Sequence, residues 1–245
     1  MPQNQNQKPL ILWDVGGVLL ELNYTKFYQE GAKVSGIPSE DFKQIYTESK
    51  LELDTLNGTL SNEDYQTQLK QLLGNPNLSR TELESVVQNC WGGEITPVVD
   101  LKQRVYFEAE CPVGIFSNIN QFAFEYLSRT HPRMFQTFNP EAPMICSHIS
   151  KAVKPHPPMY EEAQQYAKEN SINQIILIED RKKYLAKGIQ DFGWKGIWFT
   201  PYIDSAEAIR QTQDSDNLQL PKEKFRQADN IQELEQALRE FEVAI

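Results

Sequence analysis

Four short segments of this 245-residue chain carry residues able to do chemistry together. The run Ile11-Leu12-Trp13-Asp14-Val15-Gly16-Gly17-Val18-Leu19-Leu20 delivers one aspartate from an apolar strand into a Gly-Gly turn. A carboxylate at the end of such a strand sits at the mouth of a parallel sheet, where backbone amides and a metal ion reach it. Phe116-Ser117-Asn118 offers a hydroxyl and amides, Val153-Lys154-Pro155 a cation, and Ile178-Glu179-Asp180 two further carboxylates. Each segment alone has an ordinary structural reading. Asp14 before two glycines makes a strand-end turn. Ser117-Asn118 caps a helix, Glu179-Asp180 complements a helix N-terminus, and Lys154-Pro155 is a loop. Their joint occurrence behind apolar runs is what points to a site.

The elements that must position these residues follow from the hydrophobic pattern. Residues 9–14 read as a first strand, buried on both faces. Residues from about 24 to 90 have apolar residues at helical spacing, with Phe27, Val34 and Ile37 on one helix and Phe42, Ile45 and Tyr46 on another. Leu53 and Leu56 end a third, stopped by Asn57-Gly58. Ser61 is the expected N-cap of a fourth, with Asp64 three residues on, and Leu69, Leu72 and Leu73 continue its apolar face until Gly74-Asn75-Pro76 breaks it. Ser79-Arg80-Thr81-Glu82 opens a fifth helix that runs through Val87.

From about residue 97 helix and strand alternate. Helices are expected over Val98 to Glu108, Phe122 to Arg129, Pro158 to Glu169, Tyr184 to Phe192 and Ile231 to Phe241, the last capped by Asp229 or Asn230. Strands are expected over Val113 to Phe116, Met144 to Cys146, Ile175 to Ile178 and Gly196 to Phe199. This alternation predicts an α/β fold with a parallel sheet. Residues 203–224 read as a polar surface excursion with some helix around Ala206 to Arg210, and Met1 to Lys8 as a polar, disordered tail without a signal core.

Composition excludes several classes. The net charge of −10 offers no basic face for a nucleic acid. No apolar run approaches the ~20 residues of a membrane helix. Cys90, Cys111 and Cys146 are isolated, with no Cys-x-x-Cys pair, and read as small buried hydrophobes in a reducing cytoplasm. His131, His148 and His156 form no ligand pair, and no Gly-x-Ser-x-Gly elbow is present. His156, beside the Lys154 loop, reads as a loop histidine. Trp91, Trp194 and Trp198 read as packing residues, and Trp13 as buried against the sheet.

With the four segments in this order, the chain resembles the haloacid dehalogenase (HAD) superfamily of phosphohydrolases. It is most similar to the subgroup whose first motif is Asp-x-Gly-[Gly/Asn]-Val, which includes phosphatases of glucose 1-phosphate. The matching stretches are Trp13 to Leu19, Phe116 to Asn120, Ser147 to Tyr160 and Ile175 to Gly193. The resemblance implies a Rossmann-like doubly wound parallel sheet formed by residues 1–20 and 96–245, with a small all-helical cap, residues 21–95, inserted after the first strand. It implies that Asp14 is a nucleophile taking the phosphoryl group as an aspartyl phosphate. It implies a Mg²⁺ cofactor held by Asp14, the Gly16 carbonyl and Asp180, with Glu179 holding a metal-bound water. The Ser117 hydroxyl and the Asn118 amide would bind phosphoryl oxygens, and Lys154 would neutralise charge on the phosphoryl group and on Asp14.

One position departs from most phosphatases of the superfamily. They have a second aspartate two residues after the nucleophile, which protonates the leaving group and then activates water. Here that residue is Gly16. A missing general acid–base group costs roughly 10²–10⁴ in rate. The glucose 1-phosphate-type relatives resemble this chain in having glycine there. The departure points to a leaving group that needs little protonation, or to a substitute acid, for which Glu21 at the hinge to the cap is a candidate. Lys151, Lys154, Arg181, Lys182 and Lys183 lie in the two loops expected to flank the site, and the stretches Glu21 to Lys26 and Leu53 to Leu60 are expected to face the organic part of the substrate.

The leading expectation is a cytoplasmic, Mg²⁺-dependent phosphatase of a small phosphorylated metabolite, a sugar phosphate being one candidate. A catalytically weak or silent fold that binds a ligand or partner is the alternative. A metal-free carbon–halogen hydrolase ranks third, because such enzymes resemble Asp-x-Tyr-Gly-Thr in the first motif and Glu179-Asp180 favours a metal.

Overall fold

The computed structural model describes residues 8–202 and 218–245. The expected helix around Ala206 to Arg210 and the tail before Lys8 lie outside the described residues. Six parallel strands form the main sheet, in the spatial order β5-β4-β1-β6-β7-β8. They are β1 (Leu10–Trp13), β4 (Val113–Ser117), β5 (Met144–Cys146), β6 (Ile175–Glu179), β7 (Lys195–Phe199) and β8 (Phe225–Ala228). The chain winds outward from β1 through β4 to β5, then returns past β1 to build β6, β7 and β8. The strand order therefore reverses around β1, and the carboxyl ends of β1, β4 and β6 border that switch point, where open α/β sheets bind ligands.

β1 is a continuous apolar run because both of its faces are covered. Ile11 and Trp13 enter one core cluster and Leu10 and Leu12 the other. Ile176 and Ile178 of β6 join the first, and Ile175 and Leu177 the second, as strand alternation requires. The covering helices are α6 (Thr96–Phe107), α7 (Gln121–Thr130), α8 (Pro132–Phe135), α9 (Ser147–Ser150), α10 (Pro157–Glu169), α11 (Lys182–Phe192) and α12 (Ile231–Glu240). Asn230 caps α12 by accepting from the Glu233 amide.

Between β1 and α6 lie α1 (Tyr24–Ser35), α2 (Ser39–Glu48), α3 (Leu51–Leu56), α4 (Asn62–Leu72) and α5 (Arg80–Val87), which share a separate core around Phe27, Phe42, Tyr46, Tyr65, Leu69 and Leu83. The fold is thus an α/β sheet with a helical cap. Ser61 caps α4 as expected, but the reciprocal capping box is at Ser79 and Glu82 of α5.

Three strands escaped the sequence reading. β2 (Leu20–Leu22) and β3 (Trp91–Glu94) pair antiparallel at the hinge between cap and sheet. They are short, and β3 contains two glycines, so neither shows a strand's alternation. β8 is an edge strand whose sequence Phe-Arg-Gln-Ala carries too little apolar character to be recognised alone.

Candidate active site

Asp14 is the first residue after β1, and its amide donates to the Ile178 carbonyl of β6 at 3.0 Å. That bond fixes where the side chain leaves the sheet. One carboxylate oxygen, Oδ1, accepts from the Val15 amide at 2.7 Å. The other, Oδ2, lies 3.1 Å from Lys154 Nζ, and the Ser117 hydroxyl also bonds to this carboxylate. Ser117 is the last residue of β4, so two neighbouring strand ends bring these groups together.

The Lys154 side chain is fully buried. Its ammonium donates to the Phe116 carbonyl at 3.0 Å and to Glu179 Oε2 at 2.6 Å, besides facing Asp14. An ammonium has three donors, and all three are directed. The rings of Phe116 and Tyr184 flank it, with centroids 5.4 and 5.2 Å from Nζ. Burial pulls this ammonium down, yet Asp14 and Glu179 outweigh burial and hold it above the usual lysine range.

The backbone of Lys154 is fixed from an unexpected quarter. Asn118 Oδ1 accepts from the Lys154 amide at 2.8 Å, and Asn118 Nδ2 donates to the Lys154 carbonyl at 3.3 Å. The helix cap that Ser117-Asn118 alone suggested belongs instead to Asn120, which accepts from Ala123 N.

Glu179 and Asp180 complete the cluster. Glu179 Oε1 accepts from the Arg181 amide at 3.0 Å, and the Glu179 and Asp180 side chains hydrogen-bond to each other. Trp198 Nε1 donates to the Asp180 carbonyl at 2.8 Å. Gly17 lets the turn after β1 close over Asp180: its φ is +76°, and a Cβ there would stand 2.6 Å from Asp180 Oδ2.

Asp14, Glu179 and Asp180 each offer a carboxylate oxygen within 4.8 Å of the others, and all three are buried. Burial pushes Asp14 up to about 7, with Glu179 adding to the shift and Lys154 opposing it. Glu179 rises to about 7 and Asp180 to about 6, again mainly through burial. The Lys154 ammonium contacts two of these three carboxylates, Asp14 and Glu179. The cluster has more negative charge than Lys154 neutralises, and its donors are all oxygen, which fits a hard divalent cation such as Mg²⁺. Gly16 lines the same cavity beside Asp14.

That cavity has a volume of about 420 Å³ and runs from the strand ends to the underside of the cap. Of the loop cations singled out in the sequence, Lys154, Arg181 and Lys183 line it. Lys151 instead reaches the cap at Gly58, and Lys182 lies over the Trp198 and Phe225 rings. His156 lines the cavity from the Lys154 loop, whereas His148 Nδ1 is engaged with the Ile119 carbonyl at 2.8 Å. The cap contributes Leu22, Tyr24, Tyr46, Glu52, Leu53 and Tyr65. The Tyr24 hydroxyl donates to Glu52 Oε1 at 3.1 Å.

Parts of the expected cap contact therefore stand, through Leu22, Tyr24, Leu53 and Leu56, but Lys26 and the stretch from Gly58 to Leu60 lie away from this cavity. Glu21 is corrected more sharply. Its side chain is exposed and packs over Gly92, where a Cβ would stand 2.2 Å from Glu21 Oε2, and it does not line the cavity. Sequence reasoning missed Tyr184, one helical turn beyond Asp180, whose spacing was a usable signal. It also missed Tyr46 and Tyr65, which the helical period assigns to the cap core with no sign that they border a cavity.

No family model and no curated protein matches this sequence. Solved structures do match its fold. An HAD family enzyme from Bacteroides thetaiotaomicron, in complex with magnesium and inorganic phosphate, superposes with a TM-score of 0.64 at 16% identity, covering 83% of this chain and 100% of the other. An HAD phosphatase from Thermococcus onnurineus gives 0.55 at 13% identity, covering 94% and 97%. An L-2-haloacid dehalogenase from Xanthobacter autotrophicus gives 0.56 at 13% identity, covering 95% and 98%. The chain has the fold of the HAD hydrolases. None of its described helices is long and apolar enough to cross a membrane.

Proposed function

We propose that this protein is a Mg²⁺-dependent HAD-type phosphatase acting on a small phosphorylated metabolite. The observation that carries the reading is the convergence of Asp14, Glu179, Asp180 and Lys154, from three separate stretches of chain, into one buried cluster. A buried network kept for stability has no use for three carboxylates gathered within reach of one another in a cavity, whereas a site for a cation and a phosphoryl group does. The neighbours with this fold include a magnesium and phosphate complex and a phosphatase, which supports the same reading.

In this reading Asp14 attacks phosphorus through Oδ2, the phosphorus–oxygen bond to the leaving group breaks, and an aspartyl phosphate forms. Attack by water then returns Asp14 and releases phosphate. Lys154 gives up part of its contact with Asp14 to a phosphoryl oxygen, and the Ser117 hydroxyl and the Asn118 amide bind the others. Asp14, the Gly16 carbonyl and Asp180 would hold Mg²⁺, with Glu179 behind them. Bound there, the ion would offset the charge of the carboxylates and the phosphoryl group. Residues 21–95 form the cap over residues 1–20 and 96–245, and the cap side of the cavity receives the organic group. Cys90, Cys111 and Cys146 are buried thiols outside any disulfide, in keeping with a cytoplasmic setting.

The test is phosphate release from p-nitrophenyl phosphate and a panel of sugar phosphates, with wild type and Asp14→Asn side by side. Turnover that needs both Mg²⁺ and Asp14 is the expected result. A second reading, a silent HAD fold that binds a ligand without turning it over, is favoured by the lack of an acid at Gly16. It predicts intact Mg²⁺ binding with no turnover on any member of the panel.

A further inference from the structure

The wall that Gly16 leaves open is filled by an apolar side chain. A Cβ built on Gly16 would lie 3.1 Å from both Leu22 Cδ1 and Leu22 Cδ2 and 3.3 Å from Cγ. Leu22 lines the cavity together with Asp14 and Gly16. Its direction is set by the hinge ladder. Leu20 pairs with Glu94 and Glu21 with Gly93, but Leu22 pairs with Trp91, so the register shifts between Glu21 and Leu22 and skips Gly92. Such an irregularity beside a site re-aims a side chain. Here Leu22 reaches the cavity while Glu21 turns out over Gly92. Glycine at 16 and leucine at 22 are therefore complementary in shape.

The other carboxylates that line the cavity are engaged elsewhere. Asp180 hydrogen-bonds to Glu179 within the carboxylate cluster. Glu52 sits on α3 in the cap with the Tyr24 hydroxyl bonded to it. The side chain placed against Gly16, two residues from the reacting carboxylate, has no proton to give.

We propose that Leu22 walls the leaving-group side of the site, and that the substrate class is an activated phosphoryl compound: an acyl phosphate, a phosphoanhydride or an ester of an acidic hydroxyl. This rests on the phosphatase reading above and refines it. Asp14 Oδ2 forms the new bond to phosphorus, and the old phosphorus–oxygen bond breaks with its electron pair leaving on oxygen. The leaving group departs as an anion and takes its proton from solvent afterwards. The aspartyl phosphate is itself an acyl phosphate with a carboxylate leaving group, so its hydrolysis requires no acid at Leu22 either. The apolar wall excludes water from the bond being broken and offers nothing to an alkoxide. Simple alkyl esters are disfavoured on that account.

The experiment is kcat/KM for wild type with Mg²⁺ on a series of substituted phenyl phosphates of similar size, with Asp14→Asn as control and acetyl phosphate and glycerol phosphate added. kcat/KM reports the steps through departure of the leaving group, whereas kcat is levelled if breakdown of the common aspartyl phosphate limits it. The expected result is a steep fall in kcat/KM as the leaving group becomes more basic, on the order of 10²–10⁴ across the series, the range a missing general acid forfeits. Acetyl phosphate should be among the best substrates and glycerol phosphate the poorest. Asp14-dependent turnover with kcat/KM insensitive to leaving-group basicity would overturn the proposal and leave the phosphatase reading standing, since an acid such as Glu52 or His156 would then be reaching the leaving oxygen. Absence of Asp14-dependent turnover on every substrate overturns both.

Discussion

Two lysines are buried among the described residues, and the groups they donate to differ in charge. Lys102 of α6 donates to three backbone carbonyls, those of Arg133, Met134 and Gln136, at 3.3, 2.5 and 2.8 Å. Lys154 also has three acceptors, but two of them are carboxylates. Burial pulls the Lys102 ammonium down to about 7, Glu94 opposing and Arg133 adding to the fall, whereas Asp14 and Glu179 reverse the effect of burial at Lys154. The first lysine closes the end of α8, a structural task that neutral acceptors serve. The second sits in a cluster that retains negative charge after the lysine is counted. Burial of a charge does not mark a site; an unbalanced cluster of charges in a cavity does.

The comparison is broken most directly by removing each ammonium in turn. Lys154→Met leaves Asp14 and Glu179 facing each other without a cation. Turnover should be lost and unfolding stability should fall by about 3–5 kcal/mol, the cost of stripping one partner from a buried pair. Lys102→Met should lower stability by about 1–3 kcal/mol through its unsatisfied carbonyls and leave kcat/KM unchanged. Denaturant titration and steady-state kinetics on both variants check this; equal kinetic losses in the two would erase the distinction.

The pH dependence of stability sharpens it. In metal-free protein Asp14, Glu179 and Asp180 have folded pKa values of about 7, 7 and 6, above their ordinary values of 3.8, 4.5 and 3.8. Between about pH 4 and pH 7 the folded state holds more protons than the unfolded one, so stability falls as pH rises through that window. Lys102 acts with the opposite sign. Its folded value is lowered from 10.5 to about 7, so above pH 7 the folded state holds fewer protons and stability recovers with pH. Chemical denaturation of the EDTA-treated protein should show both limbs. Lys102→Met should remove only the upper one, and added Mg²⁺ should flatten the lower one.

A smaller effect is expected from the side chain that holds Lys154 by its backbone. Asn118→Ala keeps the amide but removes both hydrogen bonds to the Lys154 amide and carbonyl. A loss of about 1–1.5 kcal/mol of positioning corresponds to roughly a tenfold lower kcat, with KM little changed. The smallest change should come from the cap. Glu52→Gln, far in sequence from the cluster, should alter KM among panel substrates a few-fold while leaving Mg²⁺ binding unaffected, which titration with the metal would check.

The same contrast explains what the sequence revealed. Asp14, Ser117 and Glu179-Asp180 each follow an apolar run directly, so local pattern and parallel topology together place them at one edge. Val113 to Phe116, Met144 to Cys146 and Ile175 to Ile178 were legible for the same reason, since a strand buried on both faces is an uninterrupted apolar run. The pair of hydrogen bonds between Asn118 and Lys154 was not legible, because it joins loops thirty-six residues apart whose approach only the folded sheet sets. The choice between Glu21 and Leu22 turned on a register shift in a short hinge ladder, and no local pattern encodes which of two adjacent side chains such a shift aims inward. Tyr46 and Tyr65 serve core and cavity at once, and helical spacing reports only the first.

The central claim is that Asp14 takes the phosphoryl group. Wild-type protein incubated with Mg²⁺ and acetyl phosphate should be quenched in acid during turnover and its peptides mapped by mass spectrometry. The account predicts a phosphoryl group on the peptide carrying Asp14, absent in Asp14→Asn. Phosphate release that continues in Asp14→Asn at the wild-type rate, with no covalent adduct in either protein, would contradict it.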